Sequence, residues 1–355
     1  MKKRTPFFFI ITAIVLCLVY CAFILAAFPA LASCKTAATS AQAAVLMERD
    51  SGRVLFSKNQ DAKLPMASCT KILTAITVLQ NCAADEAVTV SKKAVGIEGS
   101  SIYLREGEQL TVIELLYGLM LRSGNDAAVA LAIHAAGSVK DFADLMNETA
   151  KEIGANNSNF INPHGLHDEN HYTTAYDLAL ITCHALKNPL FQKIVATKKI
   201  TVGKGEQARY FINKNKLLSM SPNASGVKTG FTKRAGRCFV GSAQNDEGMT
   251  LVAVVLNCGP MFEDSLSLLN YGFKNFQNKR LVMQNKICSA QLSRNRATYQ
   301  VCQKAITYPL KRDGSEDSLI KKTITREKEG YILSIYLDKQ LLFSQKLVTI
   351  YGNVN

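Results

Sequence analysis

The stretch Ser68-Cys69-Thr70-Lys71-Ile72-Leu73-Thr74-Ala75-Ile76-Thr77-Val78-Leu79 decides how the rest of the chain is read. Pro65 lies just upstream, so a helix is predicted to open near Ala67 and to carry Ser68 in its first turn. Residues three apart on a helix share a face, roughly 5–6 Å between Cβ atoms. A serine hydroxyl and a lysine amine then come within reach of each other, beside the unpaired backbone N–H groups of a helix start. That is a nucleophile with a base beside it. The pattern alone is weak, because Ser225-Gly226-Val227-Lys228 also reads S-x-x-K.

With 355 residues, 48% hydrophobic and 20% charged, the chain has the composition of a globular protein with an apolar appendage, large enough for two domains. The net charge is +14; Lys2, Lys3 and Arg4 supply three of these charges and residues 1–33 hold no acid, so the remainder carries +11. Such a surface suits anionic partners, a membrane or a polyanionic wall polymer. No basic run with interleaved aromatics and no zinc-finger spacing occurs, so nucleic acid is not expected as a partner.

Residues 1–33 read as an export signal or N-terminal membrane anchor: a basic start, an apolar stretch from Phe7 to about Ala27, then small residues. Ala30-Leu31-Ala32 is an A-x-A cleavage site, whereas Leu31-Ala32-Ser33-Cys34 resembles a lipobox with Cys34 as the lipidated residue. Cleavage, lipidation at Cys34 and an uncleaved anchor all place the body of the protein outside the cytoplasmic membrane. The ten cysteines are scattered without a C-x-x-C pair, and several sit in apolar runs such as Arg237-Cys238-Phe239-Val240, which favours core thiols over a disulfide framework.

Residues 34–42 form a small, polar linker. Ala43–Glu48 and Arg53–Ser57 flank Asp50-Ser51-Gly52 as a hairpin. A short strand is expected at 88–90. Thr111 with Glu114 makes a capping box for a helix reaching Met120, and Asp126 is read as the cap of an alanine-rich helix ending near Ala136. Helices follow at 141–153 and 174–186, separated by an irregular stretch over 156–172. Strands are expected at 227–229, 238–243 and 249–256, then a helix over 264–276. Beyond about Lys279 the chain alternates in short β-like runs. The domains are therefore 43–280, a sheet built from distant segments and covered by helices, and 281–355, a small β-rich unit.

Three motifs stand in order: Ser68…Lys71, Ser123-Gly124-Asn125 and Lys228-Thr229-Gly230. S-x-x-K, S-x-N and K-T-G in this order form the serine-acylation set of penicillin-binding proteins and class A β-lactamases. The flanking text Leu115-Leu116-Tyr117-Gly118, Asn162-Pro163-His164-Gly165-Leu166 and Thr174-Ala175-Tyr176-Asp177-Leu178 resembles the low-molecular-mass D-alanyl-D-alanine carboxypeptidases, the S11 family of serine peptidases. The resemblance covers about residues 43–280 strongly and the β tail loosely. It implies a penicillin-binding-protein/β-lactamase-like transpeptidase fold of α/β (α+β) class, with a mixed or antiparallel sheet covered by helices.

It also implies roles. Ser68 attacks the bond between two D-alanines, Lys71 serves as its base, and Ser123 relays the proton to the leaving D-alanine. Asn125 holds the substrate amide, Lys228 and Thr229 bind the terminal carboxylate, and Gly230 and Phe231 complete the substrate-binding set. The backbone N–H groups of Ser68 and Phe231 form the oxyanion hole. Peptidoglycan stem peptides are the implied substrates and β-lactams the covalent inhibitors; no cofactor is implied. The five histidines include no H-E-x-x-H, so no catalytic metal is expected, and His164 and His171 read as residues that order a loop.

Rival readings use the same site. A class A β-lactamase would add E-x-x-L-N, but Leu256-Asn257 and Leu269-Asn270 lack the glutamate. Endopeptidase action on cross-linked stems, or a non-catalytic envelope protein on the same fold, stays open. Many members of the family end in an amphipathic helix on the membrane; residues 347–355 carry no such helix and no basic-aromatic face, so anchoring, if any, is expected from the N-terminus.

Overall fold

The computed structural model describes residues 37–203, 205, 208–293 and 296–353. The export segment expected at 1–33, and Cys34 with it, lie outside the described residues. No helix among the described residues is long and apolar enough to cross a membrane.

Ala43–Glu48 (β1) and Val54–Lys58 (β2) form the expected hairpin. A 3₁₀ turn at Ala67–Thr70 leads into Lys71–Asn81 (α1), which is buried from Lys71 to Val78, the polar Lys71, Thr74 and Thr77 included. Ala87–Thr89 (β3) pairs with Gln109–Thr111 (β4). Val112–Tyr117 (α2) carries the Thr111–Glu114 capping box and runs into a π-helical turn at Gly118–Arg122. Asn125–Ala136 (α3), Val139–Ile153 (α4) and Ala175–Ala185 (α5) complete the helical core; Ser138 and Thr174 cap the last two.

Residues 187–223, for which no element is expected, hold Pro189–Ala196 (α6), the hairpin Lys199–Val202 (β5) with Arg209–Ile212 (β6), and the short Leu217–Met220 (α7). Ala224–Thr232 (β7), Gly236–Gln244 (β8), Thr250–Leu256 (β9) and Met261–Asn275 (α8) follow.

The main sheet has the order β2-β1-β9-β8-β7, and each neighbouring pair is antiparallel, which resolves the mixed-or-antiparallel alternative. The central strand β9 is buried along its whole length, hence its unbroken run Leu251-Val252-Ala253-Val254-Val255-Leu256. Alternation sends Val45, Val252 and Val254 into the helical core. Leu46 and Leu251 face the other way, toward Gly272 of α8. Strand β7 is an edge, and its free side is the one available to a ligand.

The β tail consists of Phe276–Val282 (β10), Lys286–Ser293 (β11), Arg296–Cys302 (β12), Ile306–Lys311 (β13), Ile320–Glu327 (β14), Gly330–Leu337 (β15) and Gln340–Asn353 (β16). β10 pairs with β13, and the rest form a sheet in the order β11-β12-β16-β15-β14 with its own small core around Tyr308, Leu333 and Ile335. The seven described cysteines outside the signal are free thiols, and Cys69, Cys183, Cys238, Cys258 and Cys302 are buried.

Three local expectations are corrected. The α-helix begins at Lys71, because Ala67 has a left-handed φ of 48° and opens a tighter turn first. Asp126 lies inside the first turn of α3 rather than at its N-cap; its carboxylate accepts from Ala127 N (2.9 Å) and reaches out to the Ser101 hydroxyl (2.6 Å) and the N–H groups of Ile102 and Leu104. The end of the 34–42 linker is fastened down: the Asp264 carboxylate accepts from Thr39 Oγ1 (2.8 Å) and Ser40 N (2.7 Å). Strand β10, Phe276–Val282, runs across the 280/281 join between the two expected domains.

Arg53 joins the β tail to the hairpin. Its guanidinium donates to both Glu316 oxygens (2.6 and 3.0 Å) and to the Pro309 carbonyl, and lies over the rings of Phe276 and Tyr308. Removing one partner of a largely buried pair costs on the order of 3 kcal/mol. Arg53→Ala is therefore expected to loosen the tail and lower the thermal midpoint by several degrees. Limited proteolysis near residue 276 should detect it, and an unchanged digestion pattern would count against this contact.

Candidate active site

The three sequence motifs meet at one cleft of about 860 Å³, whose walls include Ser68, Ser123, Thr229, Gly230 and Phe231. Ser68 comes from the 3₁₀ turn that precedes α1, Ser123 from the junction of the π turn with α3, and the rest from the edge strand β7. Ser123 sits there with a left-handed φ of 66°, a conformation non-glycine residues adopt at some cost and which here turns the chain from one helix to the next.

Close approach between β7 and the 3₁₀ turn depends on Gly230. A Cβ there would fall 2.8 Å from Met66 O and 3.0 Å from Ser68 N, so a larger residue would push the strand off the turn. The second duplicate motif dissolves in three dimensions. Ser225 lies on β7 with its hydroxyl bonded to that of Ser242 (2.8 Å), while the Lys228 amine donates to the Thr229 carbonyl, so the two are not partners.

Lys71 is fully buried, and its amine has three neighbours. Nζ lies 3.0 Å from Ser68 Oγ, 2.7 Å from Asn125 Oδ1 and 2.6 Å from the His164 carbonyl. Burial first, then the positive charges of Lys228 and Lys214, hold its pKa well below that of an ordinary lysine. A neutral amine has two N–H bonds and one lone pair. The His164 carbonyl only accepts, and so does Asn125 Oδ1, because Asn125 Nδ2 is committed to the Glu98 carbonyl at 2.5 Å. The two N–H groups therefore go to these oxygens, and the lone pair is left for the Ser68 hydroxyl proton.

Behind this cluster the 162–166 turn is pinned by side chains. Asn162 Oδ1 accepts from Gly165 N (2.7 Å), and Thr74 Oγ1 donates to the Pro163 carbonyl (2.7 Å). His171 Nδ1 accepts from Ile161 N while Nε2 bonds Thr70 Oγ1 at 2.8 Å, which suits a neutral ring; burial lowers its pKa to about 4 and that of His164 to about 3. Both histidines order the loop, as the sequence suggests.

Lys228 is also buried, with its Nζ donating to the Thr229 carbonyl at 2.9 Å, and burial lowers its pKa to about 7. It lies beneath the cleft wall rather than on it. Lys214, Lys216 and Arg237 stand on the wall, against the one acid Glu263, so the cleft favours an anionic ligand. Sequence reasoning passed over Lys214, whose Nζ donates to Ser100 Oγ at 3.0 Å, and the His164 carbonyl. Asn125, expected on the substrate amide, spends both ends of its own amide on Lys71 and Glu98.

The family model for D-alanyl-D-alanine carboxypeptidase (peptidase S11) matches residues 31–259, which takes in all three motifs. This chain belongs to the peptidase S11 family. Among curated members of that family it is 35% identical over 258 residues to D-alanyl-D-alanine carboxypeptidase DacF of Bacillus subtilis, a match covering 70% of this chain and 66% of the relative. It is 38% identical over 267 residues to DacC of Escherichia coli, covering 71% and 66%. The chain thus spans just under two thirds of these relatives' length.

The solved structure of penicillin-binding protein 5 from Haemophilus influenzae superposes with a TM-score of 0.76 at 28% identity, over 88% of this chain and 97% of that one. The Streptomyces K15 DD-transpeptidase superposes at 0.63 and 34% identity, over 66% and 98%. The fold is that of penicillin-binding protein 5: helices around an antiparallel sheet, with a C-terminal all-β domain.

Proposed function

We propose that this chain is a serine D-Ala-D-Ala carboxypeptidase that removes the terminal D-alanine from peptidoglycan stem pentapeptides and is acylated by β-lactams. The observation that carries the reading is the buried Lys71 amine, 3.0 Å from Ser68 Oγ with its other valences spoken for. A serine hydroxyl is a poor nucleophile until a base takes its proton. Lys71 receives that proton as Ser68 Oγ bonds to the carbonyl carbon. The developing oxyanion is met by the N–H groups of Ser68 and Phe231, each typically worth about 3 kcal/mol in such a hole.

Ser123 passes a proton to the nitrogen of the departing D-alanine as the C–N bond breaks. Water then adds to the ester carbon and Ser68 Oγ leaves, which releases the shortened peptide. Thr229 and Lys214 on the wall hold the terminal carboxylate, with the buried Lys228 adding positive charge from behind. Asn125 orients Lys71. Gly230 keeps the strand close, and Phe231, 65% exposed, offers a ring beside the scissile bond. The domains act as a catalytic body over 43–280 and a β-rich unit over 281–355. Export through residues 1–33 places both on the outer side of the membrane, where the substrate is.

The test is release of D-alanine from a peptide ending in D-Ala-D-Ala, together with covalent labelling by a fluorescent penicillin. Wild-type protein is expected to do both, and Ser68→Ala neither. A folded wild type that takes no label would sink the mechanism, whereas label retained by Ser68→Ala would move the nucleophile elsewhere. Rapid loss of the penicilloyl group without D-alanine release would favour the β-lactamase reading.

A further inference from the structure

On the far side of the helical core from the cleft, three metal-ligand side chains converge. Cys82 closes the C-terminus of α1, Glu86 ends the turn that follows, and His134 lies in the last turn of α3. The Cys82 thiol, a Glu86 carboxylate oxygen and a His134 ring nitrogen all lie within 4.8 Å of one another. The closest pair, His134 Nε2 and Glu86 Oε2, is already in contact at 2.9 Å. We propose that Cys82, Glu86 and His134 bind one zinc ion that staples α1 to α3.

The donor set selects the metal. A thiolate and an imidazole with one carboxylate suit zinc, whereas calcium and magnesium take oxygen ligands. Tetrahedral bonds of about 2.0–2.3 Å separate neighbouring ligand atoms by roughly 3.5 Å. With all three atoms within 4.8 Å, no separation needs to close by more than roughly 1.3 Å to reach this spacing, within the rotation of partly exposed side chains. Glu86 is positioned for this by its backbone surroundings: its other oxygen accepts from Ala83 N at 2.6 Å, and its carbonyl accepts from Val112 N.

Binding balances simply. The Cys82 thiol gives one proton to solvent as sulfur bonds the metal, and a neutral His134 moves its ring proton from Nε2 to Nδ1. The fourth position faces solvent and takes water. The staple has a mechanical meaning. α1 and α3 pack against each other, and at their opposite ends Lys71 and Asn125 are joined at 2.7 Å. The helix α1 is roughly 16 Å long, so the ion would hold one end of a helix pair whose other end carries the proposed base.

Cadmium titration of the full chain, followed by the ultraviolet thiolate-to-cadmium charge-transfer band, tests the proposal. One equivalent is expected, displaced by zinc and unaffected by magnesium or calcium. Cys82→Ser and His134→Ala should each weaken binding by more than about tenfold, since even outer-shell partners are typically worth 10–100-fold. The exposed Glu86→Gln keeps the fold and should weaken it as well, whereas Cys288→Ser should not. Zinc is expected to raise the thermal midpoint of wild type and not of Cys82→Ser. Binding that survives in Cys82→Ser or in all other ligand variants, or a wild-type midpoint indifferent to zinc, would overturn the staple.

Discussion

Lys71→Ala is expected to slow acylation by penicillin by about 10²–10⁴-fold, the usual worth of a positioned general base, while non-covalent binding changes little. The split follows from where the amine sits. Lys71 is buried behind Ser68 and is absent from the cleft wall, so its removal takes the proton acceptor from Ser68 without taking a contact from the ligand. Lys71→Arg should be no better, because a guanidinium does not give up its charge and five donors do not match two fixed acceptors and one hydroxyl. Stopped-flow measurement of acylation against penicillin concentration separates the two constants. An unchanged acylation rate in Lys71→Ala would remove this residue as base.

The same geometry fixes a pH profile. Lys71 must be neutral to accept the proton, and its pKa lies well below that of a free lysine because of burial and the charge of Lys228. Acylation efficiency therefore rises with pH as Lys71 loses its proton. Lys228 must keep its charge to attract the carboxylate, and burial lowers its pKa to about 7, so efficiency falls as pH climbs above that value. A bell results, with the acid limb owned by Lys71 and the alkaline limb by Lys228. Lys228→Arg, whose charge persists, should lose the alkaline limb selectively; a limb that stays would assign it to another group.

Sequence pattern carried the main features because they are local. The spacing Ser68…Lys71, the Thr111–Glu114 capping box and the unbroken apolar run of β9 each state their structure within a few residues. What the pattern missed is held by long-range or backbone contacts. The second acceptor on Lys71 is a carbonyl, that of His164, and a carbonyl leaves no mark in a sequence. Asp126 looked like a helix cap because its partners, Ser101, Ile102 and Leu104, belong to a loop more than twenty residues away. Lys214 comes from a segment whose short helices and hairpin are too brief for periodicity to register. Asn125 was assigned to substrate by its motif, whereas its two amide ends are claimed by Lys71 and Glu98 once the fold closes.

Gly165→Ala is the second large effect expected, and it tests whether the loop behind the nucleophile is part of the machinery. Gly165 has a φ of 89°, and a Cβ added there would lie 1.9 Å from the Ala67 carbonyl oxygen and 2.9 Å from Thr70 Oγ1. The first of these is backbone, so no side-chain rotation relieves the clash; the 162–166 turn has to retreat from the 3₁₀ turn. That retreat carries away the His164 carbonyl, now 2.6 Å from Lys71 Nζ, and loosens the turn that presents Ser68. A displacement of about 1 Å near reacting groups commonly costs on the order of 10²-fold in rate. Acylation is expected to fall by at least that factor. Backbone strain alone does not account for it, and Gly154→Ala provides the control: its φ of 93° is equally unfavourable, yet nothing lies within 4 Å of the added Cβ. That variant should lose about 1–2 kcal/mol of stability and keep its acylation rate. If Gly165→Ala acylates like wild type, or if Gly154→Ala is impaired as severely, the loop does not set the position of Lys71 and Ser68, and the proton inventory built on His164 fails with it.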